Sequence, residues 1–186
     1  MNTLLGETGL IVDLTCSTKR TWPRVADKRL DVNPDVKPDQ VWDGLHIPFG
    51  NSTVWKLYYD PPYYIGAHGF DEKPTMGRAL ASRTRKRNPH QHFLHCMARM
   101  GFWESRQKWE DALLALNLEA MRVLEPKGEL HVKLGKLGGP NKSVQRNDTT
   151  LLGNFDLTDE RVTTSRYGKN ETYWLTFSPK QEDGRA

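Results

Sequence analysis

Val54-Trp55-Lys56-Leu57-Tyr58-Tyr59-Asp60-Pro61-Pro62-Tyr63 is the stretch on which the reading of this chain turns. Its first six residues are mostly β-branched, aromatic or aliphatic, a composition that suits a pleated and half-buried strand. Proline cannot donate to a sheet ladder, so Pro61 and Pro62 stop that strand and leave Asp60 at its carboxyl end. In open parallel sheets ligands bind at that end, where a carboxylate accepts hydrogens from hydroxyls and amines.

The same signature recurs towards the N-terminus. Leu10-Ile11-Val12-Asp13-Leu14 reads as a buried strand running into small and polar residues. Arg29-Leu30-Asp31-Val32 reads as a second, cut off by Asn33-Pro34 and Lys37-Pro38, and Val41-Trp42-Asp43 as a third. Asp13, Asp31, Asp43 and Asp60 thus stand at successive expected strand ends. One such acid is ordinarily a turn former or a helix cap; four in order point to a ligand.

Towards the C-terminus, Trp109, Leu113, Leu116, Leu118, Met121 and Leu124 fall near helical spacing, and Pro126 with Gly128 is predicted to close that helix. Leu130 to Leu134 reads as a strand and Gly135 to Asn141 as a loop, while residues 143–152 carry no assignable pattern. Residues 161–165 and 171–177 alternate as strands about a turn at residues 166–170. The sum predicts a three-layer α/β domain, residues 1–186, with a mostly parallel sheet ending in an antiparallel hairpin. Residues 64–102 form an insertion far longer than an ordinary connection.

Composition bounds the function more loosely. The 186 residues suffice for one core, and the net charge of +4 is compatible with a polyanionic partner without demanding one. Cys16 and Cys96 fit neither a disulfide framework nor a zinc-finger spacing. With neither a leader-like N-terminus nor an apolar run of membrane-spanning length, the expectation is a cytoplasmic protein that does not enter a membrane.

Asp60-Pro61-Pro62-Tyr63 resembles the Asp-Pro-Pro-Tyr motif of class I methyltransferases that act on exocyclic amines, chiefly adenine-N6 and cytosine-N4 DNA enzymes and some RNA enzymes. Two further stretches are similar to that superfamily: residues 29–43 followed by Ile47-Pro48-Phe49, and residues 119–133 with their Pro126-Lys127-Gly128 turn. The resemblance implies a Rossmann-like fold, S-adenosylmethionine as cofactor, and Asp60, Pro61, Pro62 and Tyr63 as the catalytic loop. Asp60 and the Pro61 carbonyl would accept from the target amine while Tyr63 stacks the base. Asp13 would lie in the first cofactor loop, Asp31 on the ribose hydroxyls and Asp43 on the adenine amine, with Trp42 or Gly44 beside the ring. The family's Gly-x-Gly turn is absent here, so Thr15, Cys16 and Ser17 line that loop, with hydroxyls for the cofactor's carboxylate.

Within the insertion, Arg83, Arg85, Lys86 and Arg87 form a basic run at the mouth implied for the site, and Tyr64 adds a stacking surface. The expected partner is therefore nucleic acid, DNA or RNA, with adenine N6 as the favoured target and a further protein as a possible source of recognition. His90, His92, His95 and Cys96 crowd together without a spacing known to bind zinc, and no metal is expected. Two other readings stand beside this one. The chain would be a non-catalytic nucleic-acid-binding or scaffold subunit that kept the fold, or a methyltransferase for a protein or small-molecule nitrogen.

Overall fold

A computed structural model describes residues 9–16, 26–42, 44–65, 103–136, 143–164 and 171–181. Seven strands form one sheet: β1 (Leu10–Asp13), β2 (Lys28–Asp31), β3 (Gln40–Val41), β4 (Val54–Tyr59), β5 (Leu124–Lys136), β6 (Phe155–Thr164) and β7 (Glu171–Pro179). Their order across the sheet is β3-β2-β1-β4-β5-β7-β6. The first five are parallel to one another, and β7 runs antiparallel to both β5 and β6. The mostly parallel sheet with its terminal hairpin is the one predicted.

Between β4 and β5 lies helix α1 (Arg106–Val123), capped by the Ser105 side chain, which accepts from the Lys108 amide. Trp109, Leu113, Leu116, Ala120 and Val123 form the buried stripe that covers one face of the sheet. Leu118 is a correction to the predicted stripe: it is 65% exposed. Two residues beyond Leu116 it stands roughly 200° around the helix, on the solvent side.

A second correction concerns Pro126 and Gly128. The helix ends at Val123 and β5 begins at once; the pairing jumps from Val54 opposite Leu124 to Lys56 opposite Glu129. Residues 125–128 therefore bulge out of the strand instead of separating it from the helix. Gly128 fits because a side chain there would meet the Trp55 carbonyl at 3.0 Å.

Beyond the bulge β5 alternates strictly. Leu130, Val132 and Leu134 are fully buried in the core that α1 closes, so Glu129, His131 and Lys133 stand on the opposite face. There His131 stacks on Tyr58 with ring centroids 4.6 Å apart, and burial holds its pKa low despite neighbouring Glu129. Among the described residues, the β2–β3 and β3–β4 connections carry no helix beyond the 3-10 turn Pro34–Val36. The loop before β4 is fixed instead by α1, through Arg122 donating to the carbonyls of Ile47 and Phe49 and Glu119 accepting from the Ile47 amide.

Candidate active site

The loop after β4 is held from several sides. The Pro62 carbonyl accepts from the Trp103 indole at 2.9 Å, that of Tyr63 from the Val144 amide at 2.9 Å, and that of Tyr64 from the Trp103 amide at 2.9 Å. Tyr64 and Ile65 also bridge to Ser143 and Trp103. Trp103 and residues 143–144 carry no local mark of this role, because nothing in residue type signals a segment that pairs across some 40 to 80 residues. Pro61 is buried, and its carbonyl has no hydrogen-bond partner among the described residues. The three carbonyls that follow it are all engaged.

The Asp60 side chain is committed within the protein. Its Oδ1 accepts from the Tyr63 hydroxyl at 2.5 Å and its Oδ2 from Lys133 Nζ at 2.9 Å. The Lys133 ammonium also lies 5.5 Å from the Tyr63 ring centroid and 5.1 Å from that of Trp174. A carboxylate has about four lone-pair sites, so two donors leave capacity for a ligand hydrogen. The Tyr63 ring rests on Gly135, where a Cβ would collide with the ring carbons. Burial and the Asp60 charge raise the phenol's pKa, keeping it a donor. Tyr63 is thus a wall and a tether of the site, with one side of its ring covered, where the sequence predicted an open stacking face.

The first loop meets the loop from Asp60 to Tyr63 directly. The Asp60 amide donates to Thr15 Oγ1 at 2.6 Å, and the Thr15 amide donates to Asp13 Oδ1 at 3.0 Å. The Thr15 hydroxyl, assigned from sequence to a cofactor carboxylate, accepts here with one lone pair and still has its own hydrogen to donate to a ligand. Asp13 is 6% exposed, and its pKa is pushed up to about 6 by burial, against the Thr15 hydrogen bond and with the charges of Asp60 and Asp31 adding. Cys16 is buried, its amide donating to the Leu30 carbonyl, and burial pushes its thiol up to about 11. It packs as a small apolar residue.

At the β2 and β3 ends, Asp31 Oδ1 accepts from the Asn33 amide at 2.9 Å. Trp42 is a correction: its ring joins the core and its indole donates to the His46 carbonyl at 2.8 Å, so it has no face for an adenine. Val32 and Leu45 are exposed apolar residues in this part of the chain, at 59% and 60%. Gly44 has φ +85°, which a side chain would strain, and lies against Val32. Ser17, Asp43, Arg83, Arg85, Lys86 and Arg87, and the His90 to Cys96 group, lie outside the described residues.

No family model and no curated protein sequence matches this chain. Solved structures do match it in fold. Geranyl diphosphate C-methyltransferase from Streptomyces coelicolor A3(2), with S-adenosyl-L-homocysteine bound, is 12% identical at a TM-score of 0.51, over 95% of this chain and 76% of that one. A SAM-dependent methyltransferase from Methanosarcina mazei is 10% identical at a TM-score of 0.50, over 95% of each chain. The cyclase SpnF is 12% identical at a TM-score of 0.50, over 94% of this chain and 76% of that one. The chain therefore has the Rossmann-like fold of class I methyltransferases. At these identities the likeness is one of fold, and the presence of a cyclase among the matches shows that this fold does not fix the reaction.

Proposed function

We propose that the chain binds S-adenosylmethionine and transfers its methyl group to an exocyclic amino group of a nucleic-acid base, with adenine N6 favoured. The observation that carries this reading is the acceptor pair at one strand end: Asp60, braced on both oxygens, beside a Pro61 carbonyl with no partner among the described residues. An exocyclic amine is a weak nucleophile because its lone pair is shared with the ring. Two acceptors on its hydrogens localise that pair as attack proceeds.

The residues present fit the adenosine end of the cofactor. Asp31 offers an acceptor for ribose hydroxyls, and the exposed Val32, against which Gly44 lies, offers apolar surface for an adenine. Asp13, desolvated and close to two other acids, favours a cationic ligand. When bound, S-adenosylmethionine supplies an electrophilic methyl group on a sulfonium. Asp60 and the Pro61 carbonyl would hold the hydrogens of the amine that receives that methyl group and so orient its lone pair. The surplus proton on nitrogen then leaves to water, by way of Asp60. Thr15 couples the two loops, because one hydroxyl fixes the Asp60 backbone while its amide fixes Asp13.

A nucleic-acid target is supported by the motif and by the basic run from Arg83 to Arg87, at the mouth that the resemblance implies. The test combines calorimetric titration with S-adenosylmethionine and methyl transfer to single-stranded DNA, duplex DNA and structured RNA. Saturable cofactor binding with transfer to a base amine is the expected result. Binding without transfer to any of the three would move the acceptor to a protein or small-molecule nitrogen, and absence of binding would leave a scaffold subunit. Replacing Arg83, Arg85, Lys86 and Arg87 with serine is expected to flatten the salt dependence of nucleic-acid binding, by about 0.7 to 0.9 in log–log slope for each phosphate no longer engaged.

A further inference from the structure

Lys133 stands where no local pattern would place a functional residue. It is a largely covered cation towards the C-terminal end of β5, on the face opposite the buried Leu130, Val132 and Leu134. Its side chain is 13% exposed and that of its partner Asp60 12%, whereas the Arg29–Asp39 pair on the same sheet is 38% and 39% exposed. An exposed pair of that second kind contributes little. A pair as covered as Lys133–Asp60 bears a desolvation penalty that its attraction barely offsets, so it is weak as a device for stability. Its geometry is nonetheless well determined. The ammonium sits against the rings of Tyr63 and Trp174, and the Trp174 indole is tied to Thr163 Oγ1 on β6 at 3.4 Å.

The strand register explains why the hairpin can do this. Tyr59, the last residue of β4, lies opposite Val132, so Lys133 is level with the start of the catalytic loop. Trp174 of β7 lies opposite Lys133, and β6 places Arg161 opposite Trp174. The β6–β7 hairpin therefore backs Lys133, and Lys133 backs Asp60.

We propose that Lys133 is a positioning residue for methyl transfer. By occupying Oδ2 while Tyr63 occupies Oδ1, it fixes the rotation of the Asp60 carboxylate, so that the remaining lone pairs are presented beside the Pro61 carbonyl to the hydrogens of the acceptor amine. This rests on the methyltransferase reading above and extends it to a residue that never touches the substrate. Without the ammonium the carboxylate turns about its χ2 bond, and an acceptor misplaced by about 1 Å costs on the order of 10²-fold in rate.

The experiment is a two-by-two set of full-length variants, wild type, Lys133→Met, Asp60→Asn and the double variant, with Lys133→Arg as the charge-conserving control. Expected for Lys133→Met is kcat lower by about 100-fold, with acceptor KM and S-adenosylmethionine Kd within about twofold. Lys133→Arg should recover at least about a tenth of the wild-type rate, since it keeps the charge and its donors. If Lys133 acts through Asp60, Lys133→Met should cost nothing further in the Asp60→Asn background. Equal losses in both backgrounds, or a loss spread over KM and Kd, would overturn the proposal, as would unchanged kcat in an active Lys133→Met protein. Thermal unfolding of the same four proteins tests the pair without activity: Asp60→Asn should return most of the stability that Lys133→Met removes, and additive losses would sink the pairing. Coupled unfolding in a wild-type protein that transfers no methyl group would instead defeat the methyltransferase reading, leaving the pair a structural one.

Discussion

The two halves of the sheet's carboxyl edge are built differently. At the β4–β5 side the loop from Asp60 to Ile65 is pinned by Thr15, Trp103, Ser143, Val144, Lys133 and Gly135, which come from separate parts of the chain. At the β2–β3 side the strands have four and two residues, the connection is a single 3-10 turn, and Val32, Val41 and Leu45 are left more than half exposed. On the proposed function the contrast divides two tasks. Chemistry on a weak nucleophile needs acceptors fixed to a fraction of an ångström, whereas holding an adenosine needs an acid and apolar surface that can adjust.

Removing the acceptor on the rigid side should have the largest effect. Asp60→Ala is expected to lower methyl transfer by about 10³-fold while S-adenosylmethionine Kd stays within about threefold, because general acid–base and orienting groups act in the transition state. A variant that keeps full activity would end the proposed chemistry, and one that loses cofactor binding in proportion would erase the division between the halves.

The next effect in size is steric. Gly135→Ala drives a methyl group into the Tyr63 ring, which cannot retreat without dragging its hydroxyl from Asp60. Overpacking of this kind destabilises by about 1–3 kcal/mol, and the displaced loop should lose about 10²-fold in kcat. Combining it with Tyr63→Phe, which frees the ring from Asp60, should restore stability but not rate. If it restores neither, the ring's contact with Gly135 is not what fixes the loop.

On the open side Asp31→Ala should weaken S-adenosylmethionine by about 30-fold, the worth of a charged hydrogen bond, and leave kcat at saturating cofactor within about twofold. A fall in kcat without a change in Kd would mean that the two halves are coupled through the sheet and not separate in function.

How far the sequence foretold this edge depended on how local each signal was. The β4 boundaries were legible because Pro61 and Pro62 stop a β-prone run, and Asp31 because Asn33-Pro34 follows it at once. The hairpin was legible from alternation about a polar turn, although β6 begins at Phe155, well before the predicted start at residue 161, since its exposed residues give little hydrophobic period. Resemblance places Trp42 beside an adenine ring, and only its long-range packing and its bond to the His46 carbonyl show it in the core. Lys133 lies 73 residues from Asp60, inside a run whose pattern specified only a strand. Trp103 and Val144 reach the catalytic loop by backbone and indole bonds that leave no mark in residue type. Long-range pairing was the part that sequence could not supply.

The smallest effect joins the halves through Asp13, which touches the rigid side by way of Thr15 and feels the charges of both Asp60 and Asp31. Its folded pKa of about 6 exceeds the ordinary 3.8, so the folded protein holds this proton more tightly than the unfolded chain does. The resulting stability is fully present below pH 3.8 and is lost as pH rises through about 6, a loss of roughly 3 kcal/mol over that window. A cationic cofactor requires the ionised form, whose population falls about fourfold between pH 7 and pH 5.5, so Kd for S-adenosylmethionine should rise about fourfold over the same interval. Asp13→Asn should abolish both trends. Above pH 6 its melting temperature should exceed that of the wild type, because no buried charge has to form, and its weakened cofactor binding should no longer vary between pH 5.5 and 7. A wild-type Kd that is flat with pH would place the cofactor's positive charge away from Asp13, and would return that acid to a structural role in joining the two loops.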